Sequence, residues 1–456
     1  MKYLFNRFLW VLFNITLGTF YRFKVWKHAE GRENIPRNKP ILFCSNHPNA
    51  FMDALLVATT VPRQTYFLVR SDVFKPGWKA KALEFLYLIP VYRIQEGVEN
   101  LQKNDETFRI CNMHLKNKQS IIIFSEGICV QERRLRRLKK GTARIAFGAE
   151  EAADFRLGLT IVPVGVNYTD KPWKFREPLH IRFGKPFELS EYAEKYKTEK
   201  PRTINEFTAR LEKEMAELLV IIKDKENDEL VAGLEDMFLD VWTREGGRDP
   251  QYRRQDWKSS REIADTINKA TAQAPDQVAA LREQVASYFS KIEKHKLRDW
   301  LLREETIKGM TPFGVGSQVL IFFLGWPLFL AGALMNLVPF YVPYRIAEKI
   351  VRNKEWHASV NATIGSFLWF FWYLLVWILT WVFTNWWIAL SVLFVMYPLG
   401  RFAWWFRTRW KKFRGSIRLL SLVSNESAKV EELLKQRAQI KTELDLLRKT
   451  YMETGS

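Results

Sequence analysis

From about residue 28 to 225, short apolar runs alternate with segments of helical spacing. Runs of consecutive apolar residues predict strands at 40–44, 65–69, 88–92, 120–124, 160–166 and 179–183. Apolar positions recurring every three or four residues predict helices at 51–60, 97–117, 139–152 and 204–223. That alternation predicts an α/β domain with a mixed sheet over 28–225. Ligand sites in such sheets collect where strands end. Residues 226–310 differ: charge is dense, Gly246-Gly247 and Pro250 break the pattern, and DQVAALREQVASYFSKIEKHKLRDWLL has helical spacing. Its apolar face is expected to be packing surface in a charged helical segment.

The apolar pattern then lengthens. From Ala358 to Gly400 there is no Asp, Glu, Lys or Arg, which suffices for two spans of about 20 residues each. They are predicted at about 363–383 and 386–405, turning near Thr384-Asn385, with Trp372, Trp377, Trp381, Trp386 and Trp387 as interfacial aromatics. The earlier run 314–342 contains Gly325-Trp326-Pro327 and reads as one kinked span or a re-entrant hairpin. Basic residues flank the two-span hairpin: Arg345, Lys349, Arg352 and Lys354 before it, Arg401, Arg407, Arg409, Lys411, Lys412 and Arg414 after it. Both flanks therefore prefer the cytoplasmic side, and a cytoplasmic catalytic domain favours re-entry for 314–342. The bacterial inner membrane is the expected location. At the other end, residues 1–27 carry an uncharged stretch, Phe8 to Tyr21, too short for a comfortable span and with no small-residue cleavage site after it. An interfacial membrane helix is expected there. The basic tail, 406–456, has heptad-like apolar spacing at Val430, Leu433, Ile440, Leu444 and Leu447, with Arg437 in the seam. It is expected to form a helix over 427–451, either an oligomer contact or a helix on the protein's own surface.

The 70 basic against 50 acidic residues give a formal charge of +20. Such an excess attracts either nucleic acid or an anionic membrane face. The 18 tryptophans and 33 phenylalanines, clustered in uncharged C-terminal stretches, favour lipid and exclude a nucleic-acid partner. Three cysteines, Cys44, Cys111 and Cys129, are an odd number without paired spacing, so they suggest a reducing compartment and no metal site. Each is expected to be a small buried hydrophobe.

Candidate chemistry begins at ILFCSNHPNAFMDALL, where an apolar strand gives way to Asn46-His47-Pro48 and then a helix carrying Asp53. A histidine whose second ring nitrogen is held by a carboxylate is a general base for a hydroxyl. No residue nearby supplies a protein nucleophile, so that hydroxyl belongs to a substrate. Three further strand ends follow in order: IPVYR with Tyr92 and Arg93, SIIIFSEG with Glu126-Gly127, and TIVPVGVNY with Pro163 and Gly165.

This order resembles the four sequence blocks of the glycerol-3-phosphate and lysophosphatidic acid acyltransferase family, over roughly residues 35–190. The family usually leaves four residues between histidine and aspartate. The five between His47 and Asp53 look like the branch containing fungal glycerol-3-phosphate and dihydroxyacetone-phosphate acyltransferases. Ser125 stands in place of the common proline, and Ile128, Cys129 and Val130 in place of threonine, arginine and serine. The run Arg133, Arg134, Arg136, Arg137, Lys139 and Lys140 offers replacement charge for the missing arginine.

The resemblance implies a membrane-bound O-acyltransferase that uses an acyl thioester, acyl-CoA or acyl-carrier protein, and needs no metal or redox cofactor. Its acceptor would be glycerol-3-phosphate (or dihydroxyacetone phosphate) or lysophosphatidic acid, in phospholipid synthesis. His47 and Asp53 would be catalytic. Arg93 would bind the acceptor phosphate, with Asn46, Glu126 and Gly127 shaping the acceptor pocket. Lys140-Gly141 matches the family's lysine-glycine pair and would aid phosphate or coenzyme A binding. Two alternatives stay open: an acyltransferase for another amphiphile such as an aminolipid, and a catalytically inactive membrane scaffold.

Overall fold

The computed structural model describes residues 29–453 apart from 62, 64, 76–82, 84–86, 93–101, 169–178, 247–256 and 309–311. The expected N-terminal interfacial helix at 1–27 and Arg93 lie outside the described residues. The chain divides into two compact units. One runs to Ile221 and also takes in Asn353–Ser359; the other comprises Ile222–Arg352 and Val360–Ser456.

The first unit is built on an eight-stranded mixed sheet, as the alternating pattern predicts. Its strands are β1 (Ala29–Glu30), β2 (Ile41–Ser45), β3 (Thr65–Arg70), β4 (Leu88–Val91), β5 (Ser120–Phe124), β6 (Thr160–Tyr168), β7 (Leu179–Phe183) and β8 (Phe187–Glu188). The order is β1-β7-β6-β2-β5-β3-β4, with β8 paired to β6. β2 runs parallel to both β5 and β6, while β7 and β8 pair antiparallel to β6. Every residue of β2 is buried, the signature of a central parallel strand covered on both faces. Helices α1 (Ala50–Thr60), α2 (Asn104–Lys116), α3 (Gly141–Glu151) and α4 (Lys200–Ala216) complete the unit. Leu42, Ile121, Ile161, Phe147 and Phe207 belong to one continuous apolar core.

The sequence periodicity carries α4 on to residue 223, but the helix stops at Ala216. Buried Asn167, near the end of β6, explains the difference. Its side-chain amide donates to the Leu218 carbonyl (2.9 Å) and accepts from the Val220 N–H (2.8 Å). Gly165 makes the approach possible, since a Cβ there would sit 2.7 Å from the Leu218 carbonyl oxygen. A turn bonded to a strand residue thus replaces the last helical turns, and Leu218, Leu219 and Val220 are buried there.

The second unit holds the charged helices α5 (Asp228–Glu245), α6 (Trp257–Gln273) and α7 (Pro275–Lys294), the apolar helix α8 (Pro312–Ile350), and α10 (Trp386–Asn425) and α11 (Ser427–Arg448). Helix α9 (Lys354–Phe383) starts in the first unit and continues in the second. Among the described residues, α8, α9 and α10 are long and apolar enough to cross a membrane. They expose large apolar side chains such as Phe323, Val382, Phe383 and Phe394, as a bilayer-facing surface requires.

Two expectations need correction, and one open alternative is decided. The favoured re-entrant hairpin at 314–342 is instead one unbroken helix through Ile350, with Pro327, Pro339 and Pro343 inside it. Packing explains the tolerance: neighbouring helices stabilise proline within an apolar helix, and Gly332 of α8 lies against the Leu399 backbone of α10. The 427–451 heptad seam is not free for a second chain. Val430, Leu433, Ile440, Leu444 and Leu447 are all buried within the unit, and Arg437 bonds buried Asp299 (2.9 Å) and the Met237 carbonyl. The basic segment 406–425 is not a separate tail either, because α10 runs through it without a break.

Replacing Asn167 with Ala strands one buried carbonyl and one buried N–H. Thermal and denaturant unfolding of the purified variant should show a loss of about 2–4 kcal/mol, more than an Ala substitution at exposed Lys185.

Candidate active site

β2 ends at Ser45, and the next two residues leave the sheet in different ways. Asn46 extends the β2–β6 pairing with its side chain: Nδ2 donates to the Val166 carbonyl (2.9 Å) and Oδ1 accepts from the Val166 N–H (2.8 Å). Both polar ends are thereby used and the residue is buried. Asn46, expected to help shape the acceptor pocket, is a clamp that fixes where the strand stops.

His47 follows on this fixed point. Its ring stacks on Phe124 from the end of β5, with centroids 3.9 Å apart and planes 17° apart. Nδ1 lies 3.0 Å from Asp53 Oδ2. The imidazole is about one-fifth exposed and the carboxylate fully buried, so the Nε2 edge is the part of the pair available to a substrate. The five intervening residues do not separate the two groups, because Pro48 turns the chain and α1 begins at once, placing Asp53 in its first turn.

Asp53 is held by more than the histidine. The Asn49 N–H donates to Oδ2 at 2.6 Å, and the Tyr168 hydroxyl donates to Oδ1 at 2.7 Å. Burial and the adjacent Asp53 charge push the Tyr168 phenol well above its ordinary range, so it remains a donor throughout the physiological range. The turn into α1 is strained: Ala50 has φ of 40°, a conformation costing about 1–3 kcal/mol in a non-glycine residue. Its N–H is held by Cys129 Sγ at 2.9 Å, and Met52 N–H donates to Ser359 Oγ at 3.1 Å.

The loop after β5 forms the second wall. Glu126, expected to help shape the acceptor pocket, is buried, and its carboxylate accepts the backbone N–H groups of His47 (3.1 Å) and Arg136 (3.3 Å). Burial pushes its acid strength down, opposed by those two donors. Gly127 closes the turn with φ of 69°, its N–H donating to the Phe124 carbonyl. Further backbone bonds tie the loop down, from Val130 N–H to the His47 carbonyl and from Lys139 N–H to the Ser125 carbonyl. Within the basic run, Glu132 pairs with Arg134 and Arg136. Arg137, Lys139 and Lys140 have no ion pair among the described residues. Lys140 is exposed immediately before α3, whose first residue is Gly141.

Burial holds the three thiols up at about 12. They therefore stay protonated, as the small-hydrophobe reading requires. Among the described residues, no group of three or more His, Cys, Asp or Glu is placed to hold a metal ion. Tyr168, Cys129 and Ser359 escape sequence reasoning. Only Tyr168 leaves a signal, as a polar residue ending an apolar strand.

Residues 28–167, which contain this constellation, match the family model described as Acyltransferase. The chain carries an acyltransferase domain. The similarity to glycerol-phosphate acyltransferases expected from the four blocks extends over part of the chain. A stretch of 145 residues is 29% identical to glycerol-3-phosphate O-acyltransferase 2 of Saccharomyces cerevisiae, covering 32% of this chain and 19% of that protein. The chain thus spans about a fifth of the length of the curated relative it matches. A crystal structure of the 1-acyl-sn-glycerophosphate (LPA) acyltransferase PlsC from Thermotoga maritima is 17% identical. That similarity covers 47% of this chain and 98% of that one, at a TM-score of 0.28.

Two substitutions test how the acyltransferase site is held. Tyr168→Phe leaves Asp53 Oδ1 buried without that donor and should cost about 1.5–3 kcal/mol in thermal unfolding at neutral pH. Gly127→Ala forces a side chain into the left-handed region. It should cost about 1–2 kcal/mol, and circular dichroism should show secondary structure unchanged.

Proposed function

We propose that the protein transfers a fatty acyl group from an acyl thioester, acyl-CoA or acyl-carrier protein, to a hydroxyl of a glycerol-phosphate acceptor in phospholipid synthesis. The reading rests above all on the His47–Asp53 pair, in which Asp53 engages Nδ1 and leaves Nε2 as the ring nitrogen to meet a substrate. Nε2 takes the proton of the acceptor hydroxyl as its oxygen attacks the thioester carbonyl. A carbon–oxygen bond forms, the carbon–sulfur bond breaks, and the imidazolium returns the proton to the leaving thiolate. Products are an ester and a free thiol, so the chemistry calls on no metal or redox cofactor. Asp53 holds the tautomer with Nδ1 protonated and stabilises the transient imidazolium, as in a hydrolase triad with the substrate oxygen in place of serine.

Arg93 remains our choice for the acceptor phosphate, since a guanidinium binds it through two parallel bonds. Arg137, Lys139 and Lys140 add cations on the loop that also positions His47. The His47–Asp53 spacing favours glycerol-3-phosphate or dihydroxyacetone phosphate over lysophosphatidic acid. The basic flanks favour the cytoplasmic side for the outer ends of the α9–α10 pair, and the Met52–Ser359 bond keeps the acyl-transfer site beside the start of α9, which supports a cytoplasmic site at the bacterial inner membrane.

The test is an acyl-transfer assay with the full chain in detergent. Palmitoyl-CoA is offered with labelled glycerol-3-phosphate and, separately, labelled lysophosphatidic acid. One acceptor should give product, and His47→Ala should lower kcat by about 10²–10⁴-fold. Absence of product from both acceptors, with acyl-carrier protein also tried as donor, would overturn the acceptor assignment. Undiminished turnover by His47→Ala would remove the proposed base.

A further inference from the structure

A cavity of about 870 Å³ lies within the second unit, away from any residue of the acyltransferase site. Residues 292–301 form one side and the 404–418 segment of α10 the other. Lys296, Arg298, Arg407, Lys411, Lys412 and Arg414 all line it. Among the described residues, none of the six is in an ion pair. Lys411 feels the charges of Arg407, Arg298 and Arg414 together. The lining acids do not answer this charge: Asp299 is bonded to Arg437 and to the Tyr288 hydroxyl, and Asp236 and Glu293 are outnumbered. Cations gathered around one concavity repel one another unless an anion fills it. The volume is that of a ligand site rather than of a few waters.

Place in the sequence narrows the occupant. The uncharged run of the membrane hairpin ends at Gly400, and the lining begins one turn later with Trp404, then Arg407 and Lys411. Lys412 stands over the Trp300 ring at 5.8 Å. Tryptophan and basic side chains in the first turns beyond an apolar span occupy the headgroup layer, and basic pockets at that depth take anionic lipid headgroups. We propose that this cavity is a binding site for the phosphate-bearing headgroup of an anionic phospholipid, separate from the acyl-transfer site and independent of the function proposed for it.

The test uses the full chain in nanodiscs of phosphatidylcholine, with or without a minor fraction of phosphatidylglycerol. Phosphatidylglycerol should raise the thermal midpoint of the wild type. It should raise it much less in Arg407→Gln/Lys411→Gln/Arg414→Gln, with lipid affinity by native mass spectrometry falling roughly fivefold per removed cation. The control Lys195→Gln/Lys197→Gln/Arg202→Gln removes the same charge elsewhere and should keep the full response. Single variants Arg407→Gln and Lys411→Gln, each with a partial loss, cover the case in which the triple variant does not fold. An equal response in cavity and control variants, or none in the wild type, would overturn the site. Inorganic phosphate reproducing the whole shift in pure phosphatidylcholine would overturn the lipid as its occupant.

Discussion

A fully buried carboxylate cannot be left without donors, and Asp53 has three: a backbone N–H, an imidazole and a phenol. Much of the first unit is arranged to bring them together. The imidazole comes from the end of β2, the phenol from the end of β6, and the N–H from the entry to α1. Because β2 and β6 are neighbours in parallel register, their ends converge on one point. The Asn46 clamp then keeps the strands from slipping there. A buried charge held so costs less than its desolvation suggests, since each bond to an ionised group is worth about 1.5–3 kcal/mol.

The same logic governs the loop opposite. Glu126 spends both oxygens on backbone N–H groups, one of them that of His47, so two carboxylates fix one histidine from two directions. Asp53 sets the ring, and Glu126 sets the main chain that carries it. Stacking on Phe124 supplies the third constraint. The imidazole is therefore placed before any ligand arrives, and its orientation is not something binding must provide. The strained Ala50 backbone fits the same picture, with Cys129 and Ser359 holding a turn that is unfavourable on its own.

Much of this was legible in the chain. The six main strands follow from short apolar runs, and the His47–Asp53 pairing from one proline and one helix start. What stayed hidden was side-chain substitution for backbone partners. Asn46, Glu126 and Asn167 look like site or surface residues in sequence, because nothing in a polar side chain announces that it will pair with a main chain 50 or more positions away. The heptad of α11 left two readings open for a related reason. Periodicity reports that a helix has an apolar face, not whether its own unit or a partner covers it. Gly325-Trp326-Pro327 allows a kink or a re-entrant turn, because local propensity does not count the helix packed alongside.

The bond from Met52 to Ser359 joins residues separated by the entire charged helical segment and by α8. On a ribosome, the sheet and α1 emerge long before that hydroxyl exists. The first turn of α1 therefore waits, lacking the Ser359 hydroxyl, while the remainder is synthesised. Only when the leading end of α9 appears is the last of its contacts supplied. The order of synthesis thus withholds a finished site until the first long apolar helix has been made.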